Sequence, residues 1–272
     1  MRAIPASLDP SVVAQIDARL GRVVQEYDVR IPWAIESGSR AWGFPSPDSD
    51  YDCRFIFVRP TSDYLSLWPA RDVIETPLDA VLDVNGWDLA KVVRLLLKGN
   101  AAALEWLRSP IVYSGDEGFR ARALTLADEI VERDLLLRHY LHVGQQQLQR
   151  GSSLKRFFYA LRPAATLRWL ADHPEAVVPP MDLSTLISDS TVTDDIVQAV
   201  ADLIAAKAVT RELGDGSRPP VLMEFANAEF ERASRHDEVV RRQDTGDHAA
   251  ASREWADAWF RSELKTIEEG PR

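Results

Sequence analysis

The sequence predicts an α+β fold in which a small α/β head, residues 1–115, precedes an α-helical half, residues 116–272. Three observations carry this. Ile31 to Glu36 and residues 50–58 read as strands on either side of a loop rich in Gly, Pro and Asp. From about residue 119 apolar positions recur at helical spacing, in segments near 119–149, 153–173, 193–212, 220–242 and 248–268. The breaks between segments carry turn chemistry: Gly151-Ser152-Ser153, Pro179-Pro180, and Gly214-Asp215-Gly216 ahead of Pro219-Pro220.

Along the head, Asp9-Pro10 starts a helix, with Asp as cap and Pro at the first helical position. Val12, Val13, Ile16, Leu20, Val23 and Val24 continue it to about residue 27. The strand Ile31 to Glu36 runs into the Gly38-Ser39 turn, and Ala41 to Ser49 is a loop by composition. In the strand 50–58, Cys53, Phe55 and Phe57 share one face and Asp50, Asp52 and Arg54 the other. A loop from Thr61 to Pro69 follows, then short strands near 72–76 and 79–85. Asp88 caps a helix with Leu89, Val92, Val93, Leu96 and Leu97 on its apolar face, and Gly99 stops it. Ala101 to Leu107 resumes helix until Ser109-Pro110.

Composition bounds the class. An apolar fraction of 46% with 27% charged residues is that of a soluble globular chain. No apolar run approaches the roughly 18 residues of a membrane span, and Met1-Arg2-Ala3-Ile4-Pro5 opens no secretory core, so a cytoplasmic location is expected. Cys53 is the only cysteine, which excludes an internal disulfide and a cysteine-rich zinc site. A net charge of −10 argues against a broad, sequence-independent grip on nucleic acid. Residues 135–170 run against that sum: Arg138, Arg150, Lys155, Arg156, Arg162 and Arg168 occur there with no Asp or Glu. Such a stretch suits a polyphosphate or one nucleic-acid end.

The chemistry centres on Glu36-Ser37-Gly38-Ser39-Arg40 and Asp50-Tyr51-Asp52. Gly38 lets backbone approach a phosphate closely, and Ser39 adds a hydroxyl donor. Asp50 and Asp52, two apart on a strand, point to one face. Two acids there suit a pair of divalent cations, roughly 3.5–4 Å apart, that activate an attacking oxygen and support a leaving pyrophosphate. An isolated Asp-x-Asp is more often a solvated turn; this pair opens an apolar strand just after a Gly-Ser turn. Asp83 is favoured as a third carboxylate, because an acid in the apolar run Val81-Leu82-Asp83-Val84 is expensive without a positive partner. Asp88 is the rival, with a sufficient job as helix cap, and Asp79 reads as a turn residue.

Lys155, Tyr159 and Arg162 fall at i, i+4 and i+7, one helix face, where the cations would hold β- and γ-phosphates and the ring would stack on base or sugar. A surface helix with a packed Tyr and snorkelling cations fits the same spacing. Lys98, Asn100 and Glu105 line the cleft or merely end a helix. Trp42 and Phe44 stack on a base or pack, and His139 with His142 lack a third ligand. Trp255, Trp259 and Phe260 read as the apolar face of a terminal helix, with a partner interface as the second choice.

The stretch from Ser37 to Val58 resembles the signature of the DNA polymerase beta superfamily of nucleotidyltransferases. Asn85-Gly86-Trp87-Asp88-Leu89, Lys98-Gly99-Asn100 with Glu105-Trp106-Leu107, and Lys155 with Tyr159, Arg162 and Pro163 narrow the likeness. Together they resemble the RNA-repair-pathway polymerase-beta-like family, sometimes associated with RNA ligases, over roughly residues 30–225. Ala101 and Ala102 follow Asn100 where that family usually has Asn-Pro. The resemblance implies a minimal nucleotidyltransferase fold, a mixed sheet flanked by helices, with a helical domain closing over the nucleotide. It places Mg²⁺ or Mn²⁺ on Asp50, Asp52 and Asp83, and the phosphates of an NTP at Gly38, Ser39 and Arg40. The expected reaction is transfer of an NMP to a hydroxyl, with an RNA 3′ end or tRNA first among acceptors. A protein, as in toxin–antitoxin pairs, a small molecule, or a catalytically silent nucleotide-binding module are the alternatives.

Overall fold

The computed structural model describes every residue except 80, 152, 211–217, 242–247 and 271–272. The Gly214-Asp215-Gly216 turn and Ser152 therefore lie outside the described residues.

Helix α1 (Pro10–Tyr27) begins where the Asp9 carboxylate accepts from the Ser11 amide at 2.8 Å, with Pro10 in its first turn. Its buried stripe of Val13, Ile16, Leu20 and Val23 packs with Cys53, Phe55 and Phe57. Strand β1 (Arg30–Glu36) leads through the short helix α2 (Gly38–Ala41) and a loop into β2 (Tyr51–Val58). Helix α3 (Thr61–Tyr64), β3 (Val73–Glu75), β4 (Leu82–Asp88), α4 (Leu89–Leu96), α5 (Ala101–Arg108) and β5 (Val112–Gly115) complete the head. The five strands form one mixed sheet in the order β3-β4-β2-β1-β5, antiparallel except for β2 beside β4.

Six of the remaining helices follow in order: α6 (Glu117–Ile130), α7 (Arg133–Gln149), α8 (Leu154–Asp172), α9 (Leu183–Ser188), α10 (Asp194–Val209) and α11 (Pro220–Arg241). The last, α12 (His248–Glu269), returns to the head. Phe260 meets Tyr64 edge-on at 5.3 Å, Trp259 lies against Phe119, and Glu263 pairs with Arg122 of α6. Trp255 of the same helix stays exposed. The second face of the sheet, with Trp33, Ile35, Ile56 and Val58, merges with the helices into one core.

Several elements differ from expectation. β4 starts three residues later than 79, because the Asp79 carboxylate accepts from the amides of Val81 and Leu82 and holds those residues in a turn. β5 carries no clear period in its four residues and exists through pairing with β1. The 119–149 segment breaks at Val131–Glu132 into two helices, and α9 lies where no helix is predicted. The Ala41–Ser49 and Thr61–Pro69 loops each include or border a single helical turn. Among the described residues no helix is long and apolar enough to cross a membrane.

Candidate active site

β1 and β2 together set the Gly-Ser turn against the acids. The Ser37 amide donates to the Asp52 carbonyl at 2.9 Å, and the Asp52 amide donates back to Glu36 Oε1 at 3.0 Å. Gly38 follows with φ of 61°, and a Cβ added there would lie 2.1 Å from Asp52 Oδ2. Only glycine admits both the backbone angle and that approach.

Parallel pairing of β2 with β4 places Asp52 opposite Asp83 in register. Both carboxylates are half-buried, and the Arg54 guanidinium joins them, with Nη2 3.1 Å from Asp52 Oδ1 and 2.7 Å from Asp83 Oδ2. Asn85 Nδ2 donates to the other Asp83 oxygen at 2.5 Å. Burial pushes the Asp52 carboxyl up; Arg54 pulls it back, while Asp83 and Asp50 push it further up. Asp50 is exposed at the entrance to β2. Among the described residues no group of three or more His, Cys, Asp or Glu side chains is converged on a metal position. The donor chemistry nonetheless suits a hard divalent cation. Asp52 and Asp83 already share one positive group, and Asp50 is near enough for its charge to be felt at Asp52.

Ser39 and Arg40 are placed differently from Gly38. Ser39 Oγ donates to Ser49 Oγ at 3.0 Å, and Arg40 donates to the carbonyls of Ser49 and Asp50 while its guanidinium covers the Tyr51 ring at 3.9 Å. Both side chains tie the loop before β2 to α2, which fixes where Asp50 enters the strand.

The opposite wall is α8. Tyr159 is half-buried, and its phenol is pushed up by burial and then by the charges of Asp52 and Asp50. Lys155, one turn earlier, is exposed and its charge holds Asp52 down. Arg162 does not share this open face as its i+7 spacing predicts. It is 3% exposed, with Nη1 2.7 Å from Glu105 Oε1, Nε donating to the Met181 carbonyl, and the Trp42 ring 4.8 Å away. Tyr140 and Trp42 also donate to Glu105, at 3.1 and 3.3 Å. Arg162 Nη2 has no hydrogen-bond partner among the described residues. This buried network joins α5 and the loop after α2 to α7 and α8.

The lesser candidates sort readily. Phe44 is fully buried and stacked on Phe158, and Trp42 meets Tyr159 edge-on, so both pack. Asp88 caps α4 through the Ala90 amide and accepts from Tyr64 Oη at 3.0 Å. Asn100 caps α5, and Lys98 is exposed. Burial pushes His139 down.

Sequence reasoning gives no role to two further residues. Glu36 is fully buried beneath Asp52 and accepts from Tyr113 Oη at 2.6 Å; burial pushes its carboxyl up to about 7. An acid at the end of an apolar strand was the available signal. Lys207, in an alanine-rich helix, gives none.

The chain is similar to known proteins. The family model described as "RNA repair pathway DNA polymerase beta family" matches residues 12–262. The uncharacterized protein YcgL of Bacillus subtilis (strain 168) is 37% identical over 218 residues, covering 78% of this chain and 83% of that protein. Among solved structures, a nucleotidyltransferase-like protein from Exiguobacterium sibiricum 255-15 matches at 15% identity and a TM-score of 0.29, over 80% of this chain and 74% of that one.

Proposed function

This chain belongs to the RNA repair pathway DNA polymerase beta family of nucleotidyltransferases, and from that membership we propose a transfer of NMP from an NTP to the 3′ hydroxyl of an RNA. The observation that carries the reading is the register pair Asp52 and Asp83, with the Gly38 backbone against one and Lys155 and Tyr159 across from them. Residues 1–115 act as the catalytic head and residues 116–272 complete the cleft.

Asp50, Asp52 and Asp83 are the groups that would hold divalent metal, Mg²⁺ or Mn²⁺. Bound there, the metal supplies Lewis-acid charge to the attacking oxygen and to the leaving pyrophosphate. Arg54, which bridges Asp52 and Asp83, would have to yield at least part of that bridge for a cation to bind there. Backbone at Gly38 approaches the phosphates closely because nothing projects from it. Lys155 attracts the β- and γ-phosphates, and Tyr159 stacks on base or sugar. Of the cations from 135 to 170, Arg138, Arg162 and Arg168 are ion-paired within the fold, and Arg150, Lys155 and Arg156 are the ones left to favour an anionic acceptor end over a long duplex. Incubation with each labelled NTP, Mg²⁺ or Mn²⁺, and pooled tRNA or lysate tests the reading. Label is expected on RNA; label on protein, on a small molecule, or nowhere overturns the acceptor assignment.

A further inference from the structure

Lys207 sits near the end of α10, 4% exposed, and no carboxylate pairs with it among the described residues. Its Nζ lies 4.5 Å from the centre of the Phe44 ring and 4.8 Å from that of Phe158. Lysine is almost never buried this far without an anionic partner, because its ammonium loses hydration that two ring faces only partly replace. A lysine in the last turn is often explained by the helix dipole. Here the ammonium is turned over the rings, with no hydrogen bond to those carbonyls among the described residues.

Its charged neighbours are few. Burial pushes the Lys207 ammonium down, the charge of Lys155 on α8 pushes it further, and Asp48, in the loop before β2, pulls it up; the result is about 8. Lys155 lies one turn before Phe158 on α8, the helix whose ring covers the Lys207 ammonium, and two cations held on that helix, one of them dehydrated, favour an anion. Phe44 links this place to the cleft through Trp42, which touches Tyr159.

We propose that Lys207 and Lys155 form a two-lysine subsite for the terminal phosphates of a nucleoside triphosphate, with Lys207 as the inner, dehydrated contact. The assignment rests on the nucleotidyl-transfer reading and names the α10 residue that would distinguish a triphosphate from a monophosphate. Phe44 and Phe158 position the ammonium, and Asp48 competes with the ligand for it.

Calorimetric titration with inorganic tripolyphosphate, ATP and AMP, all in EDTA so that no metal bridges the aspartates, reads the subsite apart from catalysis. Lys207→Met should weaken tripolyphosphate and ATP at least about tenfold, the scale of a lost charged hydrogen bond, and leave AMP unchanged. Its melting temperature should hold or rise, since a buried unpaired charge is removed. Asp48→Asn serves as the second variant and should tighten tripolyphosphate about two- to fivefold. Unaltered tripolyphosphate affinity in Lys207→Met, equal loss of AMP, or a wild-type protein that binds no tripolyphosphate overturns the subsite. Lys207-dependent tripolyphosphate binding in a protein that transfers no nucleotide would keep the subsite and remove the transfer reading.

Discussion

Gly38 leaves its side-chain space to Asp52: a Cβ on Gly38 would fall 2.1 Å from Asp52 Oδ2. The turn and the carboxylate therefore occupy one another's only room, and neither can change alone. Gly38→Ala should lower kcat by about 100-fold or more, the cost of moving a reacting group by an ångström, while circular dichroism stays native. A folded Gly38→Ala enzyme with full turnover would separate Asp52 from the chemistry.

Asp83 and Asp88 lie on one strand and should behave oppositely. Asp83→Ala is expected to abolish transfer as completely as Asp52→Asn or Asp50→Asn. Asp88→Ala should keep turnover and cost about 0.5–2 kcal/mol, because Asp88 caps α4 and accepts from Tyr64. Denaturant melts alongside turnover assays tell them apart; activity lost at Asp88 and kept at Asp83 reverses the ligand assignment.

Arg162 and Glu105 form a buried pair joined by Tyr140 and Trp42. Removing one partner leaves the other charged and dry, so Arg162→Met or Glu105→Leu should each cost about 3–5 kcal/mol. The double variant should recover part of that loss. Chemical denaturation of the three proteins checks the cycle. A stable Arg162→Met that loses only ATP affinity would put this guanidinium on the phosphates instead.

Tyr159 faces the acids with its ring against Trp42. Tyr159→Ala should weaken ATP and AMP alike, by about 1–3 kcal/mol if the ring stacks on a base, and Tyr159→Phe should restore both. Selective loss of ATP alone would assign the hydroxyl to the phosphates.

Glu36 gives the metal-free protein a pH dependence. Its carboxyl titrates near its usual 4.5 when unfolded and at about 7 when folded, so the native state takes up a proton that the unfolded state has lost. At this site the folded protein should therefore be most stable against unfolding below pH 4.5, losing about 2–3 kcal/mol as pH rises from 4.5 to 7. Glu36→Gln should remove that slope. Melts in EDTA across the window measure it, and an unchanged slope in Glu36→Gln would place the titration elsewhere.

Much of this was legible in the chain because it is local. Asp9-Pro10 and Asp88 announce their helices through capping chemistry, and α8 and α12 announce themselves through period. The alternation of Asp52 and Arg54 with Cys53, Phe55 and Phe57 gives the acid face of β2 directly, with Asp50 one residue ahead of the strand. With the Gly-Ser turn, that was enough for the superfamily and the class of chemistry, and the stretches Asn85 to Leu89, Lys98 to Leu107 and Lys155 to Pro163 narrowed it to the family.

Tertiary structure decided what depends on distant partners. Parallel register alone brings Asp83 opposite Asp52, and nothing near residue 83 encodes the strand it will join. β5 is too short to carry a period and exists by pairing with β1. Spacing put Lys155, Tyr159 and Arg162 on one helix face, but a face is buried or open only by what packs on it, and Glu105 with Met181 closes over Arg162. Lys207 reads as one more surface lysine until Phe44 and Phe158 remove its water. Side-chain chemistry and periodicity are properties of neighbours in sequence, whereas burial, register and charge pairing are energies between residues that meet only when the chain has folded.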